Sequence, residues 1–330
     1  MAVDIHLRFS SIDEFEKALC REKKVRGIKG ETWRRRKNRI LGVIAAVLVI
    51  AAGFTALAYY YNQERLENTL PDSIVEFWYA IPDTDELAEA KQIALEAIVE
   101  AFIEGFPGTN ARIVLKPFPE DEYIIAINEA YINDALPSLF ESTGVDESVL
   151  RRTQSVENAV RSADLSKLLF YNYYDEVFPD FKQFPLGFAI PARYKNIAPQ
   201  NDSADVDIDD VSDRELFLSG IILEYFGSTK DFYDVQEALP ARYTIEMVDG
   251  NNAAIFTELL SIGNCDADQL TIVNRFLVFL LSENAQDYLH IQFQSGSLPL
   301  NKSALTTGYV SIYEEFAGFF NRIEDYSISR

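Results

Sequence analysis

The stretch SIVEFWYAIPDTDELAEAKQIALEAIVEAFIEGFPGTNARIVLKPF, residues 73–118, decides the fold of this chain. It opens with a run of β-branched and aromatic residues at 73–79, which predicts a strand. Apolar residues at three- and four-residue spacing then predict a helix over 86–104. The turn residues GFPGTN end that helix, and ARIVLKPF at 111–118 predicts a second strand. A strand, a helix and a strand in this order form the building unit of a parallel sheet.

The same alternation continues downstream of this unit. Further predicted elements are a helix at 123–135, a strand at 136–140, extended chain at 184–196, a strand at 243–248, and helices at 269–281, 283–294 and 308–323. Strands that alternate with helices predict an α/β domain with a mostly parallel sheet. This part of the chain has about 260 residues and many aromatic side chains, enough for one or two compact lobes.

Upstream of the α/β pattern lies ILGVIAAVLVIAAGFTALAYYY, residues 40–61, which holds 22 residues and no charged one. As a helix it would be roughly 33 Å long, which matches the hydrocarbon core of a bilayer. Three tyrosines end the run, as is typical of a membrane interface, and five Lys and Arg residues at 34–39 precede it. This pattern predicts a transmembrane helix whose N-terminal side is cytoplasmic.

A cleaved signal peptide is the alternative interpretation of the same run. Ala56-Leu57-Ala58 is compatible with a cleavage site before Tyr59. The 39 residues that precede the apolar run are far more than a signal peptide usually carries there, so an uncleaved anchor is favoured.

The predicted organisation is a cytoplasmic basic tail at 1–39, a transmembrane helix at 40–61, a polar stalk at 62–71 and an extracellular domain at 72–330. Residues 1–39 hold 12 Lys and Arg against 6 Asp and Glu, which gives this tail a net charge of +6. Since the whole chain has a net charge of −22, the remaining residues carry −28. We therefore expect a single-pass cell-membrane protein whose basic tail also contacts anionic membrane lipid. The acidic exterior argues against a nucleic-acid partner.

Metal, cofactor and catalytic chemistry are not expected. Asp205, Asp207 and Asp209 alternate as in a calcium loop, but Asp210 and Leu216 stand where such a loop requires Gly and Glu. The predicted exterior holds a single histidine, from which neither a metal-ligand cluster nor a Ser-His-Asp set can be built. The two cysteines lie on opposite sides of the predicted membrane, so no intrachain disulfide is expected.

Four stretches resemble the extracellular solute-binding proteins of ABC importers, the two-lobed periplasmic-binding-protein class that usually takes carbohydrates. They are IVEFWYAIP (74–82), EAFIEGFPGTNARIVLKPF (100–118), FPLGFAIPARYKN (184–196) and FLVFLLSENAQDYLHIQFQSGSLPLNKSAL (276–305). The fourth is the most specific, since it is similar to a helix of that class and to its Leu-Pro-x-Asn ending. The resemblance implies a binding module rather than an enzyme.

The resemblance also implies two α/β lobes joined by crossing strands, with a ligand cleft between them that closes about a hinge. Lobe one would comprise about 72–185 and 256–305, and lobe two about 190–255. Only about sixty residues separate Asn196 from Phe256, where the class has a larger, helix-rich lobe, so the second lobe is expected to be reduced. The expected fold is thus a two-lobed α/β domain of this class with a reduced second lobe, preceded by one transmembrane helix.

Sugars present apolar faces and hydroxyl edges, so a sugar cleft needs aromatic rings beside carboxylates and amides at the carboxyl ends of strands. The first strand ends in two aromatic residues, polar residues follow the third strand, and one tyrosine lies on a crossing strand. Two more polar residues lie where the chain returns to lobe one. The candidate ligand-binding residues are therefore Trp78, Tyr79, Glu141, Ser142, Tyr194, Thr257 and Glu258.

The N-terminal piece HLRFSSIDEFEKAL, residues 6–19, resembles the closing helix of bacterial serine/threonine kinase domains, although no kinase catalytic motif occurs. An ordinary juxtamembrane helix explains it equally well. The expected function is a membrane-anchored module that binds a small solute such as a sugar and serves an ABC permease or a cytoplasmic signalling partner. The alternative is a degenerate, non-binding interaction or sensor domain of a truncated receptor kinase.

Overall fold

The computed structural model describes residues 11–20, 69–197, 212–240, 242–247, 253–312, 323 and 327–329. The chain forms two compact units, Met1–Asn68 and Thr69–Arg330. In the first unit, helix α1 (Ile12–Leu19) begins after Ser11, whose hydroxyl accepts a hydrogen bond from the backbone of Glu14 at 3.2 Å. Residues 40–61 lie outside the described part, so the predicted transmembrane helix stays a prediction. Within the described ranges, every helix is too short or too polar to cross a bilayer.

The second unit contains strands and helices in alternation. The strands are β1 (Ile74–Ile81), β2 (Arg112–Pro119), β3 (Leu139–Glu141), β4 (Phe184–Ala189), β5 (Pro191–Asn196), β6 (Glu224–Ser228), β7 (Tyr243–Met247), β8 (Ala253–Ile262), β9 (Leu298–Pro299) and β10 (Ser327–Ser329). The helices are α2 (Asp85–Glu104), α3 (Glu120–Ile132), α4 (Glu147–Leu150), α5 (Glu157–Ser162), α6 (Tyr174–Val177), α7 (Asp213–Leu218), α8 (Phe232–Ala238), α9 (Ala267–Leu280), α10 (Glu283–Asp287) and α11 (Val310–Ile312). A 3₁₀ turn at Thr229–Asp231 and a π-helical turn at Tyr288–Gln292 bear on the site described below.

The larger sheet has the strand order β2-β1-β3-β8-β4-β9, with β10 beside β8. Strand β1 pairs with β2 and β3 in parallel, as predicted, whereas β8 pairs with both β3 and β4 in antiparallel fashion. The prediction of a mostly parallel sheet is therefore wrong for the part of the sheet formed by β8, β4 and β9. The reason is topological, because β4 carries the chain out of the sheet and β8 returns from the same edge in the opposite direction.

The smaller sheet, β6-β5-β7, is antiparallel and forms the second lobe together with α7 and α8. Its buried face packs Tyr194 of β5 against Phe217 of α7 and Val235 of α8. The described part of this lobe is only a three-stranded sheet with two short helices.

The hydrophobic core of the large lobe includes a side chain of the small lobe. Aromatic rings of the first lobe stack edge to face, with centroids 5.2 Å apart for Phe102 and Phe276. Phe232, the first residue of α8 in the second lobe, is fully buried in this same cluster. Its neighbour Tyr233 donates a hydrogen bond to the carbonyl oxygen of His290 in the first lobe at 3.2 Å. The small lobe is therefore packed onto the large one as well as linked to it by the chain.

A fully buried amide, that of Gln286 on α10, joins several chain ends of the first lobe. Its Nε2 donates to the carbonyl oxygens of Leu186 and Leu280, both at 2.9 Å. Its Oε1 accepts from the backbone nitrogen of Leu300 at 2.8 Å. Buried backbone groups of this kind must find partners, so one side chain satisfies β4, the end of α9 and the residue after β9 at once.

Replacement of Gln286 by Met keeps the length of the side chain but removes the amide partner of the Leu280 carbonyl oxygen and the Leu300 nitrogen, whereas the Leu186 carbonyl oxygen keeps Nε2 of His290 at 3.2 Å. Each backbone group left without a partner costs about 1–3 kcal/mol, so we expect Gln286→Met to lower the free energy of unfolding by about 3 kcal/mol or more. Urea-induced unfolding of the full-length chain measures this value.

Gln292 provides the matched control, because it lies six residues further along the same segment with an exposed side chain. Gln292→Met should change the free energy of unfolding by less than about 0.5 kcal/mol. Equal losses in the two variants would contradict the structural role assigned to the Gln286 amide.

Candidate functional site

A cleft of about 330 Å³ lies at the carboxyl ends of β1, β2 and β3. This volume is at the lower end of the range for small-molecule sites. The end of β1, the first turns of α3 and the residues after β3 form its floor, and Lys230 of the second lobe closes one side. The polar or aromatic residues among its walls are Lys91, Glu120, Tyr123, Glu141, Thr143, Lys230, Glu258, Phe293 and Ser295.

An ion pair organises the floor of the cleft. The Nζ atom of Lys91 lies 2.7 Å from Oε1 of Glu141 and donates a hydrogen bond to the carbonyl oxygen of Ala80 at 2.8 Å. The other carboxylate oxygen of Glu141 accepts from the backbone nitrogen of Ala80 at 3.1 Å. Both charges are partly buried and each has a partner, so the pair holds the end of β1 against β3 without a net charge.

Glu258 on β8 has no comparable partner. Its side chain is 24% exposed and lines the cleft, yet its Oε2 atom is buried and accepts no hydrogen bond. Its φ angle is 53°, in the left-handed region that non-glycine residues rarely adopt. The ladder to β4 runs from Leu259 to Thr257 on either side of it, so the strain is confined to this one residue. A strained residue with an unsatisfied carboxylate is a candidate for function.

The ring of His290 lies beside this carboxylate, with Nδ1 3.7 Å from Oε2 of Glu258. The ring of His290 is fully buried, and burial lowers its pKa below the usual value although Glu258 opposes the shift. Its Nε2 lies 3.2 Å from the carbonyl oxygen of Leu186, which can only accept, so we assign the proton to Nε2. Nδ1 is then an acceptor for the hydroxyl of Ser295 at 3.0 Å. The neutral imidazole therefore neither neutralises Glu258 nor donates to it.

A recess of about 40 Å³ continues from the cleft towards the core. Its apolar walls include Phe77, Leu95 and Leu289, and its mouth shares Lys91, Glu141, Glu258, Phe293 and Ser295 with the cleft. The volume is enough for a water molecule or for one small polar group of a ligand.

The structure brings two of the predicted residues, Glu141 and Glu258, together in the cleft. Tyr79 lies just beneath it, with its ring centroid 5.7 Å from Nζ of Lys91. Burial, assisted by Glu96 and Glu141, raises the pKa of Tyr79 to about 12, so its hydroxyl stays protonated. Trp78 points to the opposite face of the sheet, where its ring packs against Phe118 at 4.8 Å.

The other three predicted residues have structural partners instead of a place in the cleft. Ser142 is buried and its hydroxyl accepts from Nε2 of Gln183 at 3.2 Å. Thr257 is buried as well and donates to the hydroxyl of Ser297 at 2.8 Å. Tyr194 is fully buried in the second lobe, where its hydroxyl donates to the carbonyl oxygen of Ser228 at 2.7 Å. Ligand contact by these side chains would require rearrangement of the wall.

Sequence reasoning missed Lys91, Lys230, Phe293 and Ser295. For Lys91 a signal exists, because it lies four residues before Leu95 on the stripe of α2 that continues to the buried Ile98 and Phe102. A lysine in register with an apolar stripe is unusual and indicates a buried partner. Phe293 and Ser295 flank Gln294, which has a φ of 60°, and no local pattern predicts that turn.

Metal binding finds no support in the described ranges, where no group of three or more His, Cys, Asp or Glu residues is placed to hold an ion. The acidic residues Asp205, Asp207 and Asp209 lie outside those ranges.

Solved structures resemble the unit in fold. The GacH receptor of Streptomyces glaucescens, solved without ligand and with acarbose, superposes with a TM-score of 0.54 over 78% of this chain and 87% of its own, at 14% identity. Maltose-bound MalE3 of T. maritima gives a TM-score of 0.53 over 78% of this chain and 89% of its own, at 11% identity. An ABC substrate-binding protein of Listeria monocytogenes in complex with cycloalternan also gives 0.53, over 79% and 89%, at 11% identity.

The unit from Thr69 has the periplasmic-binding-protein fold. No family model matches the sequence, and no curated protein sequence does. At these low identities the likeness establishes the fold alone, which is the two-lobed α/β architecture expected from the four resembling stretches. In this fold, the cleft described above lies between the large lobe and the small one.

The strain at Glu258 makes an unusual prediction for stability. Within a strand, Gly is normally less stable than Ala by about 0.5–1 kcal/mol, but a left-handed backbone costs Ala about 1–2 kcal/mol that Gly avoids. We therefore expect the Glu258→Gly variant to unfold with a free energy about 1 kcal/mol higher than that of Glu258→Ala. Urea-induced unfolding of the full-length variants measures this difference.

Ile255 on the same strand serves as the control site, since it is not among the residues with positive φ. There the order should reverse, with Ile255→Ala more stable than Ile255→Gly. An Ala variant more stable than the Gly variant at position 258 would show that the backbone there is relaxed.

Proposed function

We propose that the unit from Thr69 binds a sugar-sized solute in the cleft between its two lobes. The observation that carries this proposal is the cleft itself, which lies at the carboxyl ends of parallel strands and is lined by an exposed lysine and by a carboxylate whose buried Oε2 accepts no hydrogen bond. In open α/β sheets, ligands bind at this edge because loops and helix N-termini converge there. The comparison structures named above hold acarbose, maltose and cycloalternan, which supports carbohydrate as the solute class.

The chemistry of the walls suits a polyhydroxylated ligand. Glu258 offers an acceptor, Ser295 and Thr143 offer hydroxyls, and Phe293 offers an aromatic ring. The hydroxyl groups of a sugar can form hydrogen bonds with the carboxylate and the hydroxyls, and its apolar C–H face can pack against the ring. A role in binding rather than catalysis also agrees with the terms receptor and substrate-binding protein used for two of the comparison structures.

A screen of mono- and oligosaccharides by thermal unfolding of the full-length chain tests the proposal. A ligand at a hundred times its Kd stabilises the native state by about 2.7 kcal/mol, which corresponds to a rise in Tm of about 5–10 °C. Ile124→Trp should abolish that rise, because Ile124 lines the cleft and an indole there would fill it.

Ile125→Trp is the matched control, since Ile125 is 59% exposed and is not part of the cleft wall. It should retain the rise in Tm. If no sugar raises the Tm of the unsubstituted chain, the proposal of carbohydrate binding fails.

We further propose that this module is anchored in the cell membrane by residues 40–61, with the basic tail in the cytoplasm. The uncharged run and the Lys and Arg cluster before it support this arrangement. A permanent anchor and the kinase-like piece at 6–19 favour sensing for a cytoplasmic partner over delivery to an ABC permease. Both roles use the same cleft.

Protease treatment of intact cells tests the arrangement. The acidic unit from Thr69 should be digested while an epitope tag placed before residue 1 remains protected. Digestion of the tag with survival of the unit would reverse the proposed orientation, and release of the whole chain from washed membranes would exclude the anchor.

The second candidate function is a scaffold that contacts another protein and binds no solute. The burial of Phe232 in the core of the large lobe favours it, because a small lobe held in this way has little freedom to close over a ligand. Absence of any stabilising sugar in the thermal screen is the result that would favour this role.

A further inference from the structure

The charges that line the cleft do not balance. Its walls carry the carboxylates of Glu120, Glu141 and Glu258 and the ammonium groups of Lys91 and Lys230, an excess of one negative charge. Lys91 lies against Glu141 at 2.7 Å, and Glu120 is exposed at the rim. In the described part of the chain, no Lys or Arg nitrogen lies within 4.0 Å of the Glu258 carboxylate. Of the three carboxylates, Glu258 is the one that is partly buried and has no Lys or Arg nitrogen within 4.0 Å.

A carboxylate in this position lacks the groups that usually stabilise it. Its buried Oε2 has no hydrogen bond, and among the described residues the one basic group within 4.0 Å of it is the fully buried His290. A neutral hydroxyl would restore the hydrogen bond, whereas a cationic donor restores it and also neutralises the charge, so a cation stabilises this carboxylate more. The left-handed backbone that aims this side chain adds a further cost.

The surroundings admit a small cation and exclude a large one. The recess beside Glu258 has about 40 Å³, and its walls beyond the polar mouth are the apolar side chains of Phe77, Leu95 and Leu289. The ring of Phe293, which already faces Nζ of Lys91 at 5.8 Å, lines both the recess and the cleft. An aromatic face and a carboxylate at one mouth are the two groups that attract an ammonium ion.

We infer that Glu258 receives a positively charged amino group of the solute, so that the preferred ligands are amino sugars rather than neutral sugars. This inference rests on the proposed function, because it assigns a ligand class to the same cleft. The sugar ring lies in the cleft, and its ammonium group takes the mouth of the recess between Glu258 and Phe293. The ion pair of Lys91 with Glu141 keeps the second carboxylate of the wall unavailable to the ligand.

Three disaccharides with the same linkage test the inference by isothermal titration calorimetry with the full-length chain in mild detergent. They are the β-1,4-linked dimer of glucosamine, its N-acetylated form and cellobiose. Below the pKa of the amine, at about pH 6.5, the glucosamine dimer should bind roughly ten- to a hundredfold more tightly than the other two. At about pH 9 the amine loses its proton and this advantage should disappear.

Glu258→Gln should remove the advantage of the glucosamine dimer at the lower pH. Glu122→Gln, which removes a charge from an exposed position of α3 that does not line the cleft, should retain it and serves as the matched control. Equal affinities for the three disaccharides would overturn the inference and leave carbohydrate binding intact, whereas binding of none would overturn both. An equal loss in the two variants would assign the preference to the overall field of the cleft and contradict the role of Glu258.

Thermal unfolding of each variant without ligand verifies that it folds. If Glu258→Gln does not fold, the comparison of the three disaccharides at the two pH values decides the question with the unsubstituted chain. A preference for the glucosamine dimer that persists at the higher pH would also contradict the inference, since an uncharged amine offers no cation.

Discussion

The large lobe depends on hydrogen bonds that satisfy buried backbone groups at the ends of its strands and helices. Gln286 meets this need for β4, α9 and the residue after β9 through a single amide. Asn301 does the same nearby, since its side chain donates to the carbonyl oxygen of Leu281 at 2.9 Å and accepts from the backbone of Ser303 at 3.0 Å. Both residues belong to 276–305, the stretch with the most specific resemblance to solute-binding proteins. That stretch therefore builds the interior of the large lobe through these two amides, and it also supplies Phe293 and Ser295 to the wall of the cleft.

Sequence patterns predicted those elements whose structure depends on their own residues alone. Helix α2 was predicted at 86–104 and is found at Asp85–Glu104, because its apolar spacing is regular over several turns. Strand β8 was not predicted, because AAIFTELLSI interrupts its apolar run with Thr257 and Glu258 and resembles no simple alternation. Its antiparallel direction could not be predicted either, since the direction depends on where the chain leaves the second lobe and re-enters the larger sheet.

The candidate site, like the fold, was predicted only in part. Glu141 and Glu258 were predicted because strand ends and chain returns bring polar residues to one edge of a sheet. The aromatic candidates were chosen by residue type, and alternation along the strands placed Trp78 against Phe118 and Tyr194 inside the second lobe. The backbone strain at Glu258 and the neutral state of His290 arise from tertiary packing, so no local sequence pattern could predict them.

The burial of Phe232 also bears on how the protein can be divided. A phenylalanine of the small lobe completes the interior of the large one, and Tyr233 beside it is hydrogen-bonded to the large lobe. Excision of the small lobe would thus leave a void the size of an aromatic ring in what remained. We therefore expect the two lobes to unfold together, and an exchange of small lobes between related proteins has to bring a ring of the same shape to that position.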